Sequence, residues 1–159
     1  MIEPVRRSMT VQAPQERAFA VFTEGIGTWW PLASYAIGSQ PAVTAVLEGH
    51  EGGRWFERAA DGTECEWGRV VAWEPPSRIV LTWAIDADWR PNPGVASEVE
   101  VRFTPVGDGA TRVELEHRRL EAFAARAQEM RGLFDSPGGW NGLLEAYARH
   151  AGGVTEPAR

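Results

Sequence analysis

The sequence contains no lysine: all 16 basic residues are arginine, a bias that points to no function. Against 22 acidic residues they leave a net charge of −6, and this lack of basic surplus argues against a nucleic-acid or anionic-membrane surface. Cysteine is nearly absent as well. Cys65 stands alone, which excludes an internal disulfide and a cysteine-based zinc site and permits a reducing compartment. The three histidines, His50, His117 and His150, fall in separate elements without HxH or HExxH spacing, so no metal and no other cofactor is expected. No apolar run approaches the ~20 residues that cross a bilayer, and the opening MIEPVRRSMTVQAP lacks the apolar stretch of a secretory signal. The expected location is the cytoplasm. Nucleophile-elbow, P-loop and dinucleotide glycine patterns are all missing.

What is present suits one globular domain over residues 1–159, with its core at about 5–151: 43% apolar residues, 24% charged, and eight tryptophans. VRRSMTV alternates with Val5, Arg7, Met9 and Val11 on one face and predicts a strand. Pro14 opens PQERAFAVF, where Ala18, Val21 and Phe22 share a helical face. A Gly/Pro-punctuated stretch carrying Trp29 and Trp30 predicts a short helix or loop. Strands are then predicted over 42–49, GRWFER, TECEWGRVVAWE, RIVLTWAID, SEVEVRFTPVG and ATRVELEHRRL, the last two joined by a hairpin at VGDG. Val99, Val101 and Phe103, then Val113, Leu115 and His117, alternate with charged residues, which predicts one wet and one buried sheet face. One helix is predicted over EAFAARAQEMRGLF. A second runs from Trp140 through Leu143, Leu144 and Tyr147 to Ala151, with Ser136 as cap and Gly152-Gly153 as stop.

This order predicts an α+β fold in which a curved antiparallel sheet of about six to seven strands wraps a C-terminal helix. A bent sheet and one helix cannot touch everywhere, so large side chains or a pocket must occupy the gap. The order of elements, the block GGRWFER…DGTECEWGRVVAWEPPSRIVLTW and the closing SPGGWNGLLEAYARHAG resemble the SRPBCC (START-like, Bet v 1-like) superfamily. Within it they are similar to the family named for the activator of heat shock protein 90 ATPase, in its stand-alone bacterial form. The resemblance covers about Val5 to Ala151. It implies a helix-grip fold with a deep cavity between sheet and C-terminal helix, often used for hydrophobic ligands.

Trp55, Trp67, Trp83 and Trp140, with Tyr147, Val101, Phe103 and Leu144, are the candidate lining of such a cavity; the alternative is that they are simply core. Strand parity puts Ile79, Leu81 and Trp83 on one face and Trp67, Val71 and Trp73 on another, unless a bulge at Gly68 flips the phase. Glu57 shares parity with Trp55, Arg69 with Trp67, and His117 with Leu115. A Glu57–Arg69 pair with His117 nearby would orient a ligand or move a proton; a structural ion pair and a hydrogen-bonded histidine are the plainer reading. Cys65, between Glu64 and Glu66, should have a raised pKa and be a poor nucleophile.

The expected function is therefore binding of a hydrophobic or aromatic small molecule, with no catalysis assigned. Two alternatives stay open. One is an acid–base enzyme of the same fold acting on a polyketide-like or aromatic substrate. The other is a chaperone-regulating interaction module with an exposed patch around Trp29, Trp30 and Trp89. Edge strands leave homodimerisation open as well.

Overall fold

The computed structural model describes residues 2–32 and 41–152. Seven strands form one antiparallel sheet: β1 (Val5–Val11), β2 (Ala42–Leu47), β3 (Arg54–Ala59), β4 (Glu64–Glu74), β5 (Arg78–Trp83), β6 (Ser97–Pro105) and β7 (Thr111–Arg118). Their order is β1-β7-β6-β5-β4-β3-β2, so each strand from β2 to β6 pairs with the next in sequence and β1 pairs with β7, leaving β1 and β2 at the two edges. The strict alternation of the last two strands sets a regular register, with Val99 opposite His117, Val101 opposite Leu115 and Phe103 opposite Val113. All six of these side chains are buried, so the apolar set of both strands lines one concave face.

Helices cover that face. The first two are α1 (Gln15–Phe22) and α2 (Ile26–Trp29). After β7 come a 3₁₀ segment (Leu120–Arg126), α3 (Ala127–Phe134), a π turn (Pro137–Asn141) and α4 (Gly142–Ala151). The C-terminal helix buries Leu143, Leu144, Tyr147 and Ala151, the predicted stripe. It does not cover the sheet alone. The Tyr147 hydroxyl donates to the Ala18 carbonyl at 2.7 Å, and Phe22 meets Tyr147 edge-on at 5.2 Å, which ties α1 to α4 as a joint lid. No helix among the described residues is long and apolar enough to cross a membrane.

Three expectations are corrected here. The single helix over 121–134 is two pieces, broken where Ala124 adopts φ 51°. Ser136 makes no side-chain cap for the C-terminal helix; its hydroxyl donates backward to the Leu133 carbonyl at 2.6 Å. The third concerns β4. Trp55 pairs with Gly68 and Phe56 with Glu66, leaving Trp67 as an extra residue, and between Val70 and Ala72 the partner strand skips Val71. Each bulge reverses the faces of the residues beyond it. Trp67 is therefore buried while Arg69, two residues on, is exposed, and Val71 points to solvent at 43% exposure. Gly68 is what allows the first bulge: a Cβ there would lie 1.9 Å from the Thr82 carbonyl oxygen.

The outer face carries ionic packing. Glu100, only 6% exposed, receives ion pairs from Arg78, Arg102 and Arg118. Burial raises its pKa, but the Arg78 and Arg118 hydrogen bonds outweigh that and hold the carboxyl below its usual range. Phe56, on the same face, is buried beneath the guanidinium groups of Arg54 and Arg58, 4.4 and 5.4 Å from the ring centroid.

Candidate functional site

Strands β3, β4 and β5 each bring a tryptophan to the concave face, and the helical layer brings three more. Trp55 meets Trp67 edge-on at 5.3 Å and Trp83 at 5.9 Å. Trp83 meets Trp140, at the start of the C-terminal helical region, at 5.7 Å. Trp30 leans on Trp67 at 4.9 Å and reaches both Trp55 and Trp140, and Trp29 adjoins Trp30 at 5.6 Å. Six indoles thus form one connected cluster between sheet and helices, and every one of them is at most 6% exposed. Phe134 of α3 extends it, edge-on to Trp83 at 5.4 Å.

The indole N–H groups separate the members of this cluster. Trp29 donates to the Val21 carbonyl, Trp55 to the Thr82 carbonyl and Trp67 to the Glu57 carboxylate, at 2.8, 2.8 and 2.9 Å. Trp140 donates to His117 Nδ1 at 3.0 Å. Trp30 and Trp83 have buried N–H groups with no acceptor among the described residues.

His117 is fully buried among Phe134, Trp83 and Trp140. Because an indole nitrogen can only donate, Nδ1 must be an acceptor and the ring proton must sit on Nε2. Nε2 donates it to Ser97 Oγ at 2.7 Å, and the Ser97 hydroxyl in turn donates to the Trp83 carbonyl at 3.4 Å. Burial pushes the imidazole pKa down to about 3, so the ring is neutral at physiological pH. With its Nδ1 lone pair taken by Trp140 and its Nε2–H by Ser97, His117 is a hydrogen-bonded histidine that braces the wall.

Glu57 is 2% exposed on the same face as Trp55. The predicted Glu57–Arg69 pair does not form. The Trp67 bulge sends Arg69 to the outer face, where it pairs with Glu66 at 3.0 Å. Cys65 has a thiol pushed up to about 11, by burial first and then by the nearby Glu57 charge, not by the flanking Glu64 and Glu66. Of the remaining candidates, Phe103 and Tyr147 sit at the α1 end, in contact with Phe22, while Val101 and Leu144 are buried core positions. The structure therefore brings Trp55, Glu57, Trp67, Trp83, His117 and Trp140 together and leaves Arg69 out.

Sequence reasoning missed Trp30, Ser97 and Phe134. Ser97 is in phase with Val99 and Val101, so a polar residue on the apolar face was the available signal. The patch of Trp29, Trp30 and Trp89 is not exposed as a unit: Trp29 and Trp30 are buried, and only Trp89 is open, at 42%. Trp89 stands edge-on to Phe134 at 6.4 Å, in a loop held to the 3₁₀ segment by the Asp88–Arg126 ion pair. A surface groove of about 400 Å³, lined among others by Arg6, Arg102, Glu100, Glu114 and Glu116, carries the Arg6–Glu116 and Arg102–Glu100 ion pairs and includes none of the indoles.

Comparisons with known proteins agree with this architecture. Residues 12–150 match the family described as Activator of Hsp90 ATPase homolog 1-like protein. Among solved structures, the chain is similar to an anthrahydroquino-gamma-pyrone synthase, Txn09, complexed with SUM: 39% identity over 93% of this chain and 96% of that one, TM-score 0.64. It is also similar to CalC, a self-sacrificing resistance protein from Micromonospora echinospora, at 28% identity over 94% of each chain and TM-score 0.67. A protein from Mesorhizobium loti, at 19% identity and TM-score 0.65 over 92% of this chain and 94% of that one, shares the fold. No curated protein matches the sequence.

Proposed function

The chain belongs to the Activator of Hsp90 ATPase homolog 1-like family, and from that premise we propose that it binds a flat aromatic small molecule against the indole cluster between sheet and C-terminal helix. The observation that carries this reading is the continuity of the cluster: six buried indoles from three strands and the helical layer, in mutual contact. Indole faces and edges match the quadrupole of a planar aromatic guest, and desolvating such a guest gives ~25 cal/mol per Å² of apolar surface. The 39% identity to a synthase named for an anthrahydroquinone and a pyrone supports the same ligand class.

Thermal unfolding with xanthone, anthracene and 9,10-anthraquinone, read alongside tryptophan fluorescence, tests it. A guest at ~100 times its dissociation constant adds about 2.7 kcal/mol to the folded state, or roughly 5–11 °C for a domain of this size, and quenches the indoles. No shift and no quenching by any of the three at their solubility limits would refute it.

A second reading is catalysis on the bound molecule, and one observation favours it: a buried carboxylate, Glu57, beside the aromatic wall. Proton transfer would run through Glu57 and not through His117, whose Nδ1 is already occupied. Glu57→Gln would then abolish turnover while leaving quenching by the guest intact. Retained turnover in that variant would exclude the role.

A further inference from the structure

Within the reading just given, and resting on it, we propose that Trp30 and Trp83 select for oxygen on the guest: their indole N–H groups donate to carbonyl or phenolic oxygens of an oxygenated aromatic, in preference to a bare hydrocarbon of the same shape.

Six chemically identical donors are treated unequally by the fold. Four of the indoles are served by acceptors of this chain: two backbone carbonyls, a carboxylate and a histidine nitrogen. These four span helices and sheet, so the fold places acceptors wherever the wall needs fixing. Trp30 and Trp83 are buried as well, each 6% exposed, yet neither has an acceptor among the described residues. A buried donor without a partner is costly, and native proteins rarely keep one without a use. Here two lie in one neighbourhood. Trp30 and Trp83 each contact the same two rings, Trp55 at 6.0 and 5.9 Å and Trp140 at 6.5 and 5.7 Å.

The shared neighbours, Trp55 and Trp140, are indoles with their own N–H groups committed to Thr82 and His117, and an indole has no acceptor to offer the two donors. What would satisfy both is an acceptor that arrives from outside with an aromatic body. A hydrocarbon guest would fill space and leave both donors unmet. A quinone or pyrone carbonyl would meet them. The polarity also fits the donor type: an indole cannot accept, so the complementary group on the guest is an acceptor and not a second N–H or ammonium.

Anthracene and 9,10-anthraquinone share one ring skeleton and differ in two carbonyls. Anthracene is the more hydrophobic, so apolar desolvation alone favours it; a preference for the quinone must come from donors in the site. The expected result is tenfold or greater tighter binding of anthraquinone, measured by quenching. In a ¹H–¹⁵N spectrum of tryptophan-labelled protein, two indole N–H signals should move downfield with anthraquinone and stay nearly in place with anthracene. Trp30→Phe and Trp83→Phe should each remove one of those signals and cut the quinone preference several-fold. The wild-type spectrum answers the question even where a variant does not fold. Equal affinity for the two guests, with no indole signal that responds to the carbonyls, overturns the inference and leaves aromatic binding standing. Failure of both guests to bind overturns the binding reading, and this inference with it.

Discussion

Lowering the pH from 7.5 to 5.0 should destabilise this protein through a single buried histidine, and replacing His117 with glutamine should remove that loss. The unfolded chain binds a proton at His117 with a pKa of 6.5, while in the folded state burial among Phe134, Trp83 and Trp140 pushes the value down to about 3. The folded state therefore stays neutral where the unfolded state becomes charged. Its stability is complete above pH 6.5 and is lost as pH falls from 6.5 towards 3. One pKa unit corresponds to 1.36 kcal/mol, so the loss by pH 5.0 is about 2 kcal/mol, with a slope near one proton between pH 6 and 4. For a domain of this size that is ~4–8 °C in Tm.

Carboxylates held below their usual range, such as Glu64 and Glu100, also lose their contribution as pH falls, but only below about 4.5, the unfolded value. The window from 6.5 to 5.0 thus belongs to His117. Glutamine can accept from Trp140 and donate to Ser97, so it keeps both bonds without a titrating group. Urea unfolding followed by tryptophan fluorescence at pH 7.5, 6.5, 5.5 and 5.0 gives the comparison. If His117→Gln loses as much stability over that range as the wild type, to within about 0.5 kcal/mol, the buried neutral histidine is refuted.

Gly68→Ala should cost at least ~2 kcal/mol in urea unfolding, because its Cβ meets the Thr82 carbonyl at 1.9 Å and the Trp55 indole nitrogen at 2.7 Å; a cost below 0.5 kcal/mol would mean the bulge relaxes freely. Tyr147→Phe removes the bond to the Ala18 carbonyl, which lies within α1, so a loss of ~0.5–1.5 kcal/mol is expected, without change in the near-ultraviolet dichroism of the indole cluster. Arg69→Ala, on the outer face and paired only through an exposed bridge, should change stability by less than ~0.5 kcal/mol and leave quenching by aromatic guests unchanged. A strong effect on quenching would put Arg69 back on the inner face.

The parts of this fold that were legible in the sequence are those whose signal is periodic. VEVRF and RVELEH alternate without interruption, and the pattern alone dictates their register. The same reasoning failed on β4 because a bulge leaves the local composition untouched while reversing every later side chain, and Gly68 announced only that a reversal was available. The kink at Ala124 had no signal at all, since neither glycine nor proline marks it. Trp29 and Trp30 misled in another way. Their Gly/Pro-punctuated surroundings predicted a short helix or loop, and a short helix forms, but the exposed patch of the interaction-module alternative does not, because both rings turn inward onto Tyr147 and Trp67. His117 was placed on the inner face by phase. Its role was not readable, because the partners that fix its tautomer come from β6 and the π turn, 20 and 23 residues away in sequence.

What distinguishes this interior from a well-filled core is how its polar groups are committed, more than how its apolar surface is packed. Leucine and phenylalanine fill a core without a donor to satisfy, yet this interior buries six of the chain's eight tryptophans. Here the chain accepts that burden and meets it at Trp29, Trp55, Trp67 and Trp140 with bonds to the backbone of α1 and β5 and to side chains of β3 and β7. None of these rings offers an acceptor, so the N–H groups of Trp30 and Trp83 stay without a partner among the described residues. A wall fixed at four indoles and carrying two unmet donors is the arrangement expected where the shape and acceptor pattern of a guest are read together.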